Sequence, residues 1–383
     1  MVVDDAVLSV PENGKSIEAL KEGIAYVKVT ENESLNKTSF AKIVVLPQDA
    51  DYDFQPKVQA GTNHTITVRY DGSVWGFGVN THGQLGTGNT DTSDKPVAAF
   101  TTSKIYVDAD AGYDHTLLLD KNGVVWAAGN NDRGQLGITT ADGESHIFTR
   151  VNVDLGVGEK FVSIAAGNGF SMALTNKGNV YAWGDNTYGQ LGQNTSGSSS
   201  AVLQAVKKSN GESITNAVAV AAADNYSLAL TADGIVYAWG DNTYGVMGNG
   251  TKGGIQKSAV AVAGVTGDGT LEGIYAIAAS PKTAVAISKD GHVYSWGNND
   301  NGQIGDATHF ERLYPVMQSD INNAKAVSAG DGYTVVQTTS GNMYAWGKND
   351  SGQIGNSTFD EQLVPVAVGA NSKLTIRKAG IVT

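Results

Sequence analysis

The chain has 383 residues, of which 48 are Gly, 7 Pro and none Cys, with 41% hydrophobic residues and a net charge of −12. Without cysteine there is no disulfide, no thiolate metal site and no cysteine nucleophile. The acidity disfavours nucleic acid or anionic lipid as the main partner, because both need clustered Lys and Arg, and no run of 18 apolar residues is present to span a bilayer.

The opening "MVVDDAVLSV" lacks the basic and apolar regions of a signal peptide. Residues 1–55 hold three apolar runs, Ser16–Leu20, Ile24–Thr30 and Phe40–Leu46. Asp4-Asp5 and the acidic run Gln48–Asp53 read as solvated loops. "SIEALKEGIAYVKV", from Ser16, weakly echoes "SLALTADGIVYAWG", from Ser227. The same region, through "FAKIVVL", also resembles the later strands of a bacterial group-2 Ig-like domain.

From residue 56 a phrase recurs six times. "YAWGDNTYGQLG" begins at Tyr181 and "YAWGDNTYGVMG" at Tyr237, with weaker copies ending at Gly86, Gly137, Gly305 and Gly355. Each reads Gly, one residue, Asn, two residues, Gly; the leading glycines Gly78, Gly129, Gly184, Gly240, Gly297 and Gly347 are 51, 55, 56, 57 and 50 residues apart. All six tryptophans fall in these phrases. A unit written many times is one that cannot bury its apolar face alone.

The second copy, "KIYVDADAGYDHTLLLDKNGVVWAAGNNDRGQLG", shows the whole unit. A strand over Lys104–Asp110 ends at Ala111-Gly112, His115–Leu119 is a second strand, and Asn122-Gly123 is a hairpin signal. Val124–Ala128 returns as the third strand, and a polar loop leads to a fourth near Arg150–Val153. Pro96, Pro315 and Pro365 in other copies suit an outer edge strand, where a missing N–H costs no ladder bond. Four antiparallel strands per repeat describe an all-β fold, a β-propeller. No insertion stands out from any one blade.

The hairpin fixes which residues share an end: the loop before the second strand and the loop after the third lie together. The candidate partner-binding residues on that face are Tyr113, Asp114, Arg133, Tyr188, Asp224 and Tyr244, of copies two to four. Variable residues at fixed loop positions are how a repeat scaffold builds a binding surface, and Tyr and Arg dominate interface hot spots. The competing reading of each is an ordinary solvated turn. Asn80, Asn131, Asn186, Asn242, Asn299 and Asn349, set between glycines, read as Asx turns that hold the loop. His64 and His115, with His82 in a loop on the same face, could together hold a metal, but other copies fill the slot of His64 and His115 with Phe170, Tyr226, Thr283 and Tyr333, so those two read as packing.

After the sixth phrase, residues 356–383 supply a fourth strand and one more first strand ending at Ala379-Gly380. Pairing Leu374–Lys378 with Ser16–Leu20 would close a composite seventh blade from both termini and leave no edge. The expectation is therefore one seven-bladed propeller over 1–383, with six full repeats in 56–355 and closing strands in 356–383. The alternative is that residues 1–55 form a partial Ig-like module.

The run "AGYDHTLLLDKNGVVWAAGNNDRGQLG" resembles the repeat of the regulator of chromosome condensation family, over about residues 56–380. The resemblance implies a seven-bladed propeller. It does not choose among the functions of that family, which include nucleotide exchange on Ran, chromatin binding, ultraviolet-B sensing and β-lactamase inhibition. The first 30 residues carry three lysines and no arginine, which argues against a basic chromatin-binding arm. First loops reading "GTNHT", "GYDHT" and "GNGFS" lack the Trp and Arg of the ultraviolet receptor pattern. No Gly-x-Ser-x-Gly elbow, EF-hand spacing or phosphate-binding Gly-Lys-Ser/Thr occurs.

The expected function is a non-catalytic scaffold that offers one loop face to a protein or glycan partner. A monomer of bacterial secreted or surface type is expected, with a cytoplasmic setting as the alternative, and no cofactor, metal, nucleic acid or membrane insertion. The rival class is a propeller hydrolase or lyase with its site at the central channel mouth, which would need charged residues concentrated on one or two inner loops. Exchange-factor or β-lactamase-inhibitor activity follows only from the family.

Overall fold

The computed structural model describes residues 56–101 and 104–369 in full, and before them the backbone of four strands, Leu8–Ser9, Glu18–Ala19, Gly23–Thr30 and Thr38–Val45. The chain divides into two compact units, Met1–Gln55 and Pro56–Thr383. In the first, Leu8–Ser9 pairs with Glu18–Ala19, and Gly23–Thr30 pairs with Thr38–Val45 over eight antiparallel steps from Gly23↔Val45 to Thr30↔Thr38.

The second unit is a propeller of six four-stranded blades, not seven. Blade 3 is representative: Phe161–Ala166, Phe170–Thr175, Val180–Gly184 and Ser200–Ala205 pair in chain order, first strand inside and fourth outside. The expected seventh blade fails on pairing. Its N-terminal hairpin would run through residues 16–30, yet Gly23–Thr30 takes its partner from after itself, and Glu18–Ala19 takes its partner from before. The other half of the expected closure, Leu374–Lys378, lies outside the described residues. Connectors on the end opposite the phrase loops also hold two short turns that the repeat pattern hid, bridged at Lys207↔Ser213 and Ala263↔Thr270.

Second strands such as Phe170–Thr175 and Tyr226–Thr231 are buried at all six positions, because a neighbouring blade covers each face. First and outer strands are only partly buried. The seams between blades are closed by one recurring contact. Trp183, Trp239, Trp296 and Trp346 are fully buried. Their indole Nε1–H groups donate to the backbone carbonyls of Gln135, Gln190, Val246 and Gln303 in the preceding blade, at 2.8–2.9 Å. Those carbonyls sit in the Gly-Gln-Leu-Gly phrase or its variants. The last glycine of the phrase carries the ring: Gly192 has φ 64°, and a Cβ there would lie 3.0 Å from Trp239 Nε1.

Trp75 and Trp126 stand two positions earlier in their strands and belong to a different site. Trp126 donates to Asp120 Oδ2 at 3.1 Å, and Trp75 to Ser73 Oγ at 3.2 Å. In blade 2 the seam slot holds Ala128, and Phe148 of the fourth strand instead lies over Gly86. In blade 1 the slot holds Phe77, which is 37% exposed.

Each phrase loop is stapled by its asparagine, over a longer reach than an Asx turn. Asn186 Oδ1 accepts from Leu191 N (3.1 Å) while Nδ2 donates to Thr195 O (3.2 Å). The same pair of bonds recurs at Asn80, Asn242, Asn299 and Asn349. Asn131 differs only in donating to Ile138 O, two residues nearer.

Replacing Trp239 with Ala empties a large buried site and should cost about 3–5 kcal/mol. Trp239→Phe should cost about 1–2 kcal/mol, since Ser227 still donates to Gln190 O. Urea unfolding of the full chain measures both, and an unchanged midpoint in Trp239→Ala would contradict the seam.

Candidate functional site

The paired loops of each blade are joined by a backbone bond. Asn130, Asp185, Asp241 and Lys348 donate their N–H groups to the carbonyls of Asp114, Gly169, Asn225 and Gly332, at 2.8–3.0 Å. First loops are also laced from blade to blade: Thr62 N to Gly112 O (3.4 Å), Tyr113 N to Gly167 O (3.4 Å) and Asn168 N to Asp224 O (3.1 Å). Inside them is a cavity of about 610 Å³, lined by the small-residue ends of all six first strands, such as Ala60-Gly61, Ala111-Gly112 and Ala166-Gly167. Its polar rim is Thr62, Tyr113, Asn168, Asp224 and Asp331, with Pro281 between.

The six expected site residues fall into three groups. Tyr113, 49% exposed, and Asp224 both line this cavity, and Asp224 Oδ1 accepts from Asn168 Nδ2 at 2.7 Å. Arg133 and Tyr188 are exposed on loops after third strands, with Arg133 3.8 Å from Asp185 in the next blade and Tyr188 38% exposed. Asp114 and Tyr244 turn inward. Asp114 Oδ1 lies 3.9 Å from His115 Nδ1, and burial raises its carboxyl above the ordinary range. Tyr244 packs on the Val246–Met247 cluster beneath the Lys282 ammonium, 5.5 Å from the ring centre. Asn168, Pro281 and Asp331 hold the same first-loop positions in their blades and also line the cavity, though they are not among the six expected residues; they follow the first-strand ends at Gly167, Ser280 and Gly330.

Beneath the rim, Asp110 accepts from the N–H groups of Ala166 (2.7 Å) and Ala111 (3.1 Å). Burial nevertheless pushes its carboxyl up to about 7. Asp108, two residues before, is 3.5 Å from Lys57 Nζ in blade 1, and burial raises it too.

His64 and His115 are buried, and their rings back the Gly61 and Gly112 turns at the cavity mouth. Thr116 Oγ1 donates to Gln84 O (2.7 Å), so it receives from His64 Nε2–H (2.8 Å); Ser171 Oγ donates to Gln135 O (2.7 Å) and receives from His115 Nε2–H (2.9 Å). Both Nδ1 atoms are then unprotonated and without a hydrogen-bond partner. Burial lowers His64 to about 4, and burial with the nearby His64 lowers His115 to about 3. His82 instead sits at the surface, 3.2 Å from Glu144. Among the described residues no group of three or more His, Cys, Asp or Glu is placed to hold a metal ion.

Comparison with known proteins places this geometry. The profile described as the RCC1-like domain matches residues 150–381, and the regulator of chromosome condensation repeat matches residues 71–119 and 122–174. The chain is 30% identical over 285 residues to the human E3 ubiquitin-protein ligase HERC2, covering 73% of this chain and 6% of that one. It is 28% identical over 291 residues to the Xenopus laevis RCC2 homolog, covering 70% and 54%, and so spans only part of both relatives. The Arabidopsis thaliana ultraviolet-B receptor UVR8 is 29% identical over 326 residues, 72% of each chain. Among solved structures, human WBSCR16 superposes with a TM-score of 0.71 at 22% identity, over 86% of this chain and 84% of that one. The Saccharomyces cerevisiae protein Prp20p, whose structure is described with its binding to Gsp1p and histones, gives 0.66 at 21%, over 82% and 76%. Both structural likenesses are of fold. The expected bacterial surface setting finds no support in these relatives, which are eukaryotic.

The depressed imidazoles give a pH prediction. Unfolded, each ring takes up a proton below its ordinary value of 6.5; folded, His115 does so only near 3, so its contribution to stability is lost as pH falls through that window. Asp110 acts with the opposite sign, its folded carboxyl binding a proton below about 7 that the unfolded one releases down to 3.8. The variant His115→Phe, which copies Phe170 of the next blade, isolates the ring. Between pH 6.5 and 4 its unfolding free energy should fall less steeply than wild type, by up to about 1.4 kcal/mol per pH unit. Parallel slopes in denaturant titrations would contradict a buried neutral His115.

Proposed function

The chain belongs to the RCC1-like domain family, and from that premise we propose that it is a non-catalytic scaffold holding a protein partner on the phrase-loop face of the propeller. The observation that carries this reading is the cavity mouth. Tyr113, Asn168 and Asp224 stand on three blades around one opening, and inter-blade hydrogen bonds fix the loops beneath them. A surface ordered before contact loses little conformational freedom on binding. Half-exposed tyrosines over such a frame are of the kind that anchor interfaces. The binding of Gsp1p and histones by Prp20p supports a protein as the class of partner. Arg133 and Tyr188 extend the surface outward on blades 2 and 3, whereas Asp114 and Tyr244 support it from below.

Tyr113→Ala and Tyr188→Ala should each weaken a partner isolated on the immobilised full chain by about 2 kcal/mol, with little change in the unfolding midpoint. Tyr244→Ala should lower the midpoint instead, by about 1–3 kcal/mol of stability, because its ring is packed. Titration calorimetry and urea unfolding of the three variants separate these outcomes. Full affinity retained by both Tyr113→Ala and Tyr188→Ala would move the partner off this face.

A further inference from the structure

The phrase loops of blades 5 and 6 carry two large apolar side chains that stand mostly in solvent, although one edge of the Phe359 ring lies over Gly352 of its own loop. Phe310 and Phe359 are 73% and 72% exposed, eleven and ten positions after their stapling asparagines. At those two positions the other blades place Thr90-Asp91, Ala141-Asp142, Ser196-Gly197 and Lys252-Gly253, so the architecture asks for no aromatic ring there.

The loops beneath are held firmly. Ala307 N donates to Leu363 O across the seam (2.9 Å), and Glu361 lies 3.2 Å from His309 Nε2. Asn299 Nδ2 donates to Phe310 O (3.1 Å) and Asn349 Nδ2 to Asp360 O (2.9 Å). Ala307 and Ser357 keep φ at 62° and 68°, left-handed values that a side chain tolerates only where surroundings impose them. Exposed rings on fixed, strained loops mark a surface shaped for contact.

Charge identifies the partner. Glu311 follows Phe310, and Asp360 and Glu361 follow Phe359; the cations at hand, Lys252 and Arg312, are engaged by Glu311 and Asp306, and the His309 ring lies 3.2 Å from Glu361, so the carboxylates of these loops outnumber their cations. Such a rim repels nucleic acid, anionic bilayers and a second copy of this chain, whose net charge is −12. It suits Lys and Arg, whose cations can meet the carboxylates and lie over the phenyl faces.

We propose that the loops around Phe310 and Phe359 form a docking surface for a basic protein segment that carries apolar side chains between its Lys and Arg residues. This surface stands on blades 5 and 6 and needs no part of the cavity-mouth reading.

The test selects random short peptides displayed on phage against the full chain, then measures the enriched peptides by fluorescence anisotropy. Enriched peptides should combine several Lys or Arg with an apolar residue and bind more weakly as salt rises from about 0.05 to 0.5 M. Binding should fall at least about tenfold in Phe310→Ser/Phe359→Ser and severalfold in Glu311→Gln/Asp360→Asn/Glu361→Gln. Both variants should keep the wild-type unfolding midpoint. Tyr113→Ala/Tyr188→Ala should leave peptide affinity unchanged, so the two surfaces fail separately. Enrichment of no peptide, of peptides without basic residues, or of peptides that bind the double phenylalanine variant as well as wild type would each overturn the proposal. So would a concentration-dependent mass in sedimentation that the same variant abolishes, since the occupant would then be a second copy.

Discussion

An indole that crosses from one blade to the carbonyl of the blade before it sets the rest of this propeller. A four-stranded blade has two apolar faces and can bury neither by itself, so the fold stands on its seams. In four of them the tryptophan fills the seam, satisfies a carbonyl that packing has cut off from water, and rests on a glycine that has no room for a side chain. That carbonyl lies in the loop whose other end is stapled by asparagine. One contact thus fixes blade spacing and the posture of the binding-face loops together, and the mouth around Tyr113 and Asp224 inherits its rigidity from tryptophans that never touch it.

The seams are not equal. Between blades 1 and 2 an outer-strand Phe148 does the filling, and His64 joins Thr116 and the Gln84 carbonyl beneath it. Between blades 2 and 3 the indole of Trp183 and the hydroxyl of Ser171 converge on the one Gln135 carbonyl, with His115 behind them. Further along, Tyr226 replaces the imidazole and reaches Thr283 O in the following blade. The acid-sensitive chemistry is therefore gathered at one side of the ring, while the later seams are closed by groups that do not titrate near neutrality.

Much of this is legible in the sequence because it is local. Four strands per repeat, the Asn-Gly turns, the shared end of the paired loops and the structural use of asparagine all follow from spacing within about 50 residues. What is not legible depends on neighbours. Tyr188 and Tyr244 sit in identical "DNTYG" phrases, yet one is exposed and the other lies under Lys282, a residue of the following blade. Trp75 and Trp126 match the phrase by eye but stand two positions off the seam slot, a shift that keeps the same strand face and changes the partner. The seventh blade rests on the echo of one strand; a single strand does not say on which side its partner lies, and Gly23–Thr30 finds its own in Thr38–Val45. Asp114 has the right loop position, and its backbone does lie on the face, but its carboxylate points back toward His115.

The direction of the seam contact has a consequence for a chain made from its N-terminus. The Gln190 carbonyl is synthesised 49 residues ahead of the Trp239 indole that binds it, and the same lag of 43 to 50 residues holds at the other three tryptophan seams. A blade that has left the ribosome therefore still lacks the ring that seals its outgoing side, and receives it only when the third strand of the next blade emerges. The bond that closes each of these four seams therefore belongs to the later of its two blades, and a chain cut between them keeps the loop carbonyl and loses the indole made for it.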